Sequence, residues 1–345
     1  MAGERYRDIL VVDLLGGLGD LVMLLPAIHG LARGHRGAAL RVVTHAPGSD
    51  LLRHDPAVTR VHVAPDGPGT AGAAVARALA EHQPDLAVTT TRYDRIPELL
   101  AASGARCVTD LWRRPPPDEL VGSRYLRILY DEGLLGADAL GLFPQVRLRP
   151  EERALGEETL AGLLPDPVRR PPVLLVPDAG MAVKRWPPRS WRTLAGRLGE
   201  LGFPVLTVTA GPPAPVLPPG DLRHLAACFA AVARRGGAVV GGDTGPVRLA
   251  AAVGARTVAL FGPTLASRYG LGVDTVREIQ GLPDCPHRQP TAITEQVCWW
   301  DARCPLSPDG PACMSDIDPG QVARRILSLL EAASPAEQWR MPRRC

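Results

Sequence analysis

The chain has 345 residues, 46% hydrophobic and 22% charged, the balance of a soluble globular protein with room for two domains that each bury a core. A net charge of +3, with arginines scattered among acids, lacks the clustered basic face of a nucleic-acid binder. No apolar run reaches the roughly 18 residues needed to span a bilayer.

The start, MAGERYRDILVVD, is charged and runs directly into a strand, unlike a secretory signal. A cytoplasmic protein is expected, with peripheral contact at an inner membrane face left open. DILVVDLL (8–15) predicts that strand, GGLGD a glycine turn, and LVMLLPAIHGLARG a helix. The turn is not a dinucleotide fingerprint, because Val22 stands where G-x-G-x-x-G needs its last glycine. Gly16, Gly17 and Gly19 let the backbone pass close to a ligand. Asp20 falls at the start of the helix, at the carboxyl edge of the sheet, where it suits either a general base or a helix cap.

Further strands at 39–46, within 51–64 and at 85–91 alternate with helical segments, which predicts a parallel sheet with helices on both faces. A proline-rich stretch from 143 to 172, with an acidic helix inside it, marks a boundary. The expected units are two Rossmann-like domains, one over 1–165 and one over 166–317. A last helix over 318–333 is expected to pack back on the first domain, ahead of a tail at 334–345. Asp318 is placed as the N-cap of that helix, with Pro319 at its first position.

Past the boundary, PVLLVPDAG is a strand and turn, and MAVKRWPPRSW follows it. Of the 39 Lys and Arg residues a single one, Lys184, is lysine. A compact ammonium with three rotatable donors suits a phosphate approached end-on, and the turn around Ala179 and Gly180 lies where open α/β sheets bind ligands. AVVGGDTG then ends a strand, and Asp243, Thr244, Gly245 and Pro246 open the next helix. Free amides and the positive helix end there suit a diphosphate. Thr244 adds a hydroxyl donor, and Asp243 is placed to accept hydrogen bonds from sugar hydroxyls. An ordinary capped helix is the competing explanation.

Seven cysteines in such a chain do not suggest a disulfide scaffold. Cys285, Cys298, Cys304 and Cys313 share the loop over 281–315. They could bind zinc, with His287 as an alternative ligand, but no C-x2-C pair is present, and reduced, partly buried thiols are the blander reading. The neighbouring Trp299 and Trp300 either pack an interface or line an acceptor site.

ILVVDLLGGLGDLVMLLPAIHGL, KRWPPRSWRTLAGRL and VVGGDTGPVRLAAAVGARTVALFGPT, in this order, resemble glycosyltransferase family 9, the bacterial heptosyltransferases and their relatives. The resemblance runs from about residue 8 to residue 330 and is weak between 90 and 170. It implies an α/β GT-B fold, two Rossmann-like doubly wound domains facing a cleft, the first binding the acceptor and the second the nucleotide sugar, and inverting transfer without a metal or other cofactor. By position it implies Asp20 as catalytic base, Lys184 as diphosphate ligand, and Asp243, Thr244 and Gly245 as the donor-binding turn. The implied donor is a nucleotide-diphosphate sugar, ADP-heptose first; the acceptor is a small molecule or a lipid-linked saccharide. The chain departs from the family at Gly16-Gly17, at Asp13, at Asp178 and at Arg248, the last of which is still expected to contact a phosphate. The alternatives are a nucleotide-sugar epimerase on the same fold and a non-catalytic nucleotide-sugar-binding protein.

Overall fold

The structure, a computed structural model, describes residues 5–111, 116, 118–164 and 167–332; the expected tail and residues 165 and 166 at the expected boundary lie outside the described residues. In chain order the first half runs β1 (Asp8–Asp13), α1 (Leu18–Gly34), β2 (Ala39–His45), α2 (Ser49–Leu52), β3 (Arg60–Ala64), α3 (Thr70–Glu81), β4 (Leu86–Thr89), α4 (Ile96–Ala102), β5 (Arg106–Val108), α5 (Val121–Asp131) and α6 (Pro150–Leu163). The second half runs β6 (Val173–Val176), α7 (Pro188–Glu200), β7 (Val205–Thr207), α8 (Leu222–Arg234), β8 (Ala238–Gly242), α9 (Gly245–Ala252), β9 (Arg256–Phe261), α10 (Ala266–Tyr269), β10 (Val276–Gln280), α11 (Ala312–Ser315) and α12 (Pro319–Glu331).

Each half is built on one parallel sheet of five strands, ordered β3-β2-β1-β4-β5 and β10-β9-β8-β6-β7. β1, with Ile9 opposite both Leu40 and Leu86, is buried along its whole length, as a central strand covered on both faces must be. That is why DILVVD reads as a continuous apolar run rather than an alternating one. In each sheet the strand order reverses direction once, between β1 and β4 and between β6 and β8. The crevice at the carboxyl ends of such a reversal is where doubly wound sheets bind ligands. Asp13 and Thr90 stand at the first reversal; the turn carrying Ala179 and Asp243 stand at the second.

Two expectations about packing are corrected. α6, expected in the first domain, lies on α8 of the second half, with Gly156 against the Ala227 carbonyl and Leu160 fully buried. Glu152 of α6 takes a bidentate pair from Arg223 of α8 (2.5 and 2.7 Å), and the same guanidinium reaches the Leu51 carbonyl of α2 (3.3 Å), tying the halves together. α12 packs on α7, β9 and β10 of the second half rather than mainly on the first: Val322, Ile326 and Leu329 join Trp191 and Leu194 in the second core. An apolar stripe fixes which face of a helix is buried but not what covers it. Asp318 caps α12 as expected, accepting from the Gln321 amide at 2.8 Å.

Candidate functional site

The second reversal brings Lys184 and Asp243 together. Lys184 Nζ donates to Asp243 Oδ2 at 2.8 Å and to the Asp243 carbonyl at 3.2 Å, and keeps 18% of its side chain exposed. Asp243 is a hub. Thr264 Oγ1 donates to its Oδ2 at 2.7 Å, Arg248 donates to its Oδ1, and the carboxylate is 1% exposed. Burial alone would raise its pKa; the charges of Arg248 and Lys184 outweigh that and hold it down at about 2.

Both oxygens of Asp243 are therefore occupied, and the expected acceptor of sugar hydroxyls is an anchor for Lys184 instead. Arg248 also departs from expectation. It is 7% exposed, donates to the Tyr269 carbonyl (2.9 Å), and reaches Met23 Sδ (3.1 Å) and the Gly19 carbonyl (3.5 Å) of α1. Its guanidinium is spent as a strut between the halves, and its carboxylate partner Asp243 lies in the turn just ahead of the helix that carries it. Thr264 closes the segment VVGGDTGPVRLAAAVGARTVALFGPT, but nothing local tied it to Asp243, twenty-one residues away.

α9 begins at this point, and its N-cap Thr244 makes no capping bond. The Thr244 hydroxyl is buried without a partner, and Pro246 sits in the first turn. The amides at the helix start are thus not filled by a side chain, which leaves the positive helix end for an anion. Gly245 touches Leu18 so closely that a β-carbon would lie 2.6 Å from the Leu18 Cβ. Any side chain at 245 would push α1 and α9 apart. Ala179 is buried beneath this turn, its carbonyl taking Arg185 Nε (3.2 Å), and Gly180 is exposed beside it.

Across the cleft α1 begins after Gly17, again without a side-chain cap. Asp20 is half-buried there, and its carboxylate accepts from the Gly17 amide. Burial raises its pKa, and Arg248 and Lys184 pull it partly back. Asp13, at the end of β1, is 3% exposed and accepts from Thr90 Oγ1 at 2.6 Å. Burial, then the charge of Asp20, push it from 3.8 up to about 7.

The folded pKa of Asp13 exceeds the unfolded one, so the stability it contributes is full below about pH 4 and fades as pH rises through about 7. Denaturant midpoints of Asp13→Asn, measured from pH 4 to 8, should therefore decline less with pH than those of the wild type.

The cysteine loop folds over Lys184. Trp299 is buried with Cys298 and Val183, and its ring lies 5.5 Å from Lys184 Nζ, whereas Trp300 is exposed. Arg288 pins the loop by donating to the carbonyls of Gly262 (2.8 Å), Gly281 (2.9 Å) and Pro283 (2.6 Å). Cys313 is buried and its thiol is pushed up to about 12, chiefly by burial. Cys285, Cys298, Cys304 and Cys313 are free thiols, and among the described residues no three His, Cys, Asp or Glu side chains are grouped to hold a metal. The zinc alternative, His287 included, thus lacks a converging ligand set.

A family profile described as glycosyltransferase family 9 (heptosyltransferase) matches residues 106–289, more than half of the chain. The chain belongs to this family. It is a glycosyltransferase with the GT-B fold. Among solved structures it is similar to the glycosyltransferase family 9 protein of Veillonella parvula, with a TM-score of 0.75 at 16% identity over 96% of this chain and 100% of that one. The E. coli ADP-heptose LPS heptosyltransferase II gives 0.67 at 20% identity over 94% and 100% of the two chains. The E. coli heptosyltransferase WaaC with ADP gives 0.62 at 17% over 93% and 99%. No curated protein matches. The family 9 match spans Lys184, Asp243 and α9 but begins only at residue 106, after Asp13 and Asp20. No described helix of this glycosyltransferase is long and apolar enough to cross a membrane.

Proposed function

We propose that this family 9 glycosyltransferase moves a heptose from ADP-heptose to a hydroxyl of a small-molecule or lipid-linked saccharide acceptor, with inversion and with no step assigned to a metal. The acceptor binds on the first half and the donor on the second. The observation that carries the reading is Lys184, seated on Asp243 beside the uncapped start of α9 and opposite Asp20. The family description as heptosyltransferase, and the ADP-heptose and ADP named for two of the similar E. coli enzymes, support ADP-heptose as the first donor to test.

In this mechanism the bond from the anomeric carbon to the diphosphate breaks and negative charge gathers on the leaving group. Lys184, the Thr244 hydroxyl and the amides of Gly245 and its neighbours stabilise that charge. Asp20 takes the proton of the acceptor hydroxyl as its oxygen bonds to the anomeric carbon from the opposite face. Gly17 keeps the approach to Asp20 open, and Gly19 lets α1 close on Arg248 and Gly245. Asp243 and Arg248 act indirectly, one holding the lysine and the other holding the halves together.

Calorimetric titration of ADP, GDP, UDP and dTDP tests the donor. ADP should bind most tightly to the wild type, and Lys184→Gln should weaken it about 10- to 100-fold, the worth of a hydrogen bond to a charged group. Equal binding by the variant would remove Lys184 from the donor site. Product analysis without added acceptor separates the epimerase alternative, which would convert the donor sugar unaided.

A further inference from the structure

The carboxyl end of the first sheet holds two adjoining cavities that the donor chemistry leaves unused. The inner one, about 30 Å³, is lined by Asp13, Gly17, Thr44 and His45 among others. The outer one, about 410 Å³, is lined by His45, Asp66, Thr70, Tyr93 and Asp94. His45 belongs to both walls, so the two are neighbours. The inner cavity also reaches the catalytic side of the cleft: a β-carbon on Gly17 would lie 2.6 Å from Asp20 Oδ2.

The charge of these cavities is one-sided. Asp13, Asp66 and Asp94 contribute carboxylates, and neither lining contains a lysine or an arginine. Arg92, on the same loop as Tyr93, turns to Asp110 at 4.0 Å. Asp13 is the telling group, because it is buried, takes a hydrogen bond from Thr90, and has no cation among the charges that act on it. A buried carboxylate lacking a counter-charge is costly, and here a second carboxylate, Asp20, acts on it as well. The inner cavity has room for about one water-sized group, which is the size of an ammonium. A phosphorylated or carboxylated acceptor would meet three carboxylates at these walls, with His45, 3.9 Å from Asp66, the single basic side chain among the lining residues.

We propose that the two cavities form the acceptor site and select a polyhydroxylated acceptor carrying a protonated amine, its ammonium group in the inner cavity against Asp13 and its ring in the outer one. The inference rests on the glycosyl-transfer reading of Asp20, to which the neighbouring hydroxyl is presented. The bound cation supplies the charge that Asp13 lacks and favours the ionised form of both carboxylates, so a correct acceptor helps to prepare its own base.

The test uses the full chain with ADP bound, titrated calorimetrically with three probes: the β-1,4-linked glucosamine disaccharide, cellobiose, which carries hydroxyls where the first carries ammonium groups, and glucose 6-phosphate. The amino disaccharide should bind about tenfold more tightly than cellobiose, as one charged hydrogen bond predicts, and glucose 6-phosphate most weakly. Asp13→Asn should erase the preference and Asp66→Asn, at a fully exposed side chain, should reduce it, with ADP affinity kept as the measure of intact fold. Equal binding of the two disaccharides, tighter binding of glucose 6-phosphate, or a preference that survives both substitutions overturns the proposal. A wild type that binds no ADP would instead bring down the donor reading on which it rests, and the two failures are read from separate titrations.

Discussion

Asp20→Asn is expected to lower kcat by about 10²- to 10⁴-fold, the usual worth of a positioned general base, while ADP affinity stays within about threefold. The expectation follows from where the carboxylate lies. It sits at the start of α1, opposite the Lys184–Asp243 pair, close enough for both Lys184 and Arg248 to act on its ionisation. Burial makes it a stronger base than a free carboxylate, and those two cations keep it ionisable. Asparagine has the same shape and still offers an oxygen to the Gly17 amide, so the helix start survives and only the proton acceptor is lost. Steady-state kinetics with ADP-heptose, together with ADP titration, separate the outcomes. A parallel loss of ADP affinity would mean that Asp20 serves the donor, and an unchanged kcat would leave it a helix cap. The pH–rate profile carries the same information: wild-type kcat should rise with pH through a value above the ordinary 3.8 of an aspartate, and that limb should vanish in Asp20→Asn.

Asp243→Ala is expected to destabilise the fold by about 3–5 kcal/mol, the penalty for stranding buried charges after removing their partner. Two cations lose their counter-ion at once, and Arg248, at 7% exposed, has little water to turn to. Thr264 loses its acceptor as well. Chemical denaturation measures the cost. The loss should exceed that of Lys184→Gln, because Lys184 is 18% exposed and its removal still leaves Arg248 on Asp243. A cost under about 1 kcal/mol, as for a surface pair, would show that Asp243 does not anchor these two cations. ADP affinity should fall too, since an unanchored lysine must be ordered anew at the moment of binding.

Much of this was legible in the chain. Alternation of apolar runs with helical spacing is a local property, and it carried the parallel sheets and the strands that end at the cleft, β1, β4, β6 and β8, though not the edge strands β5 and β10. The single lysine in an arginine-rich chain pointed to Lys184, and the turn at 243–246, opening on a proline, pointed to the start of α9. Asp318 was readable as a cap because a cap needs only its own helix. Tertiary structure decided what each of these groups touches. Asp243 gives its oxygens to Lys184, Thr264 and Arg248, and only the fold brings the first two across 59 and 21 residues to reach it. The same holds for Trp299 over Lys184, for the nearness of Asp13 to Asp20, and for the sides taken by α6 and α12. Periodicity fixes which face of an element is apolar and which residues share it. Which partner covers that face, and which charges meet across the cleft, is set by packing between segments far apart in the chain, where no local pattern reaches.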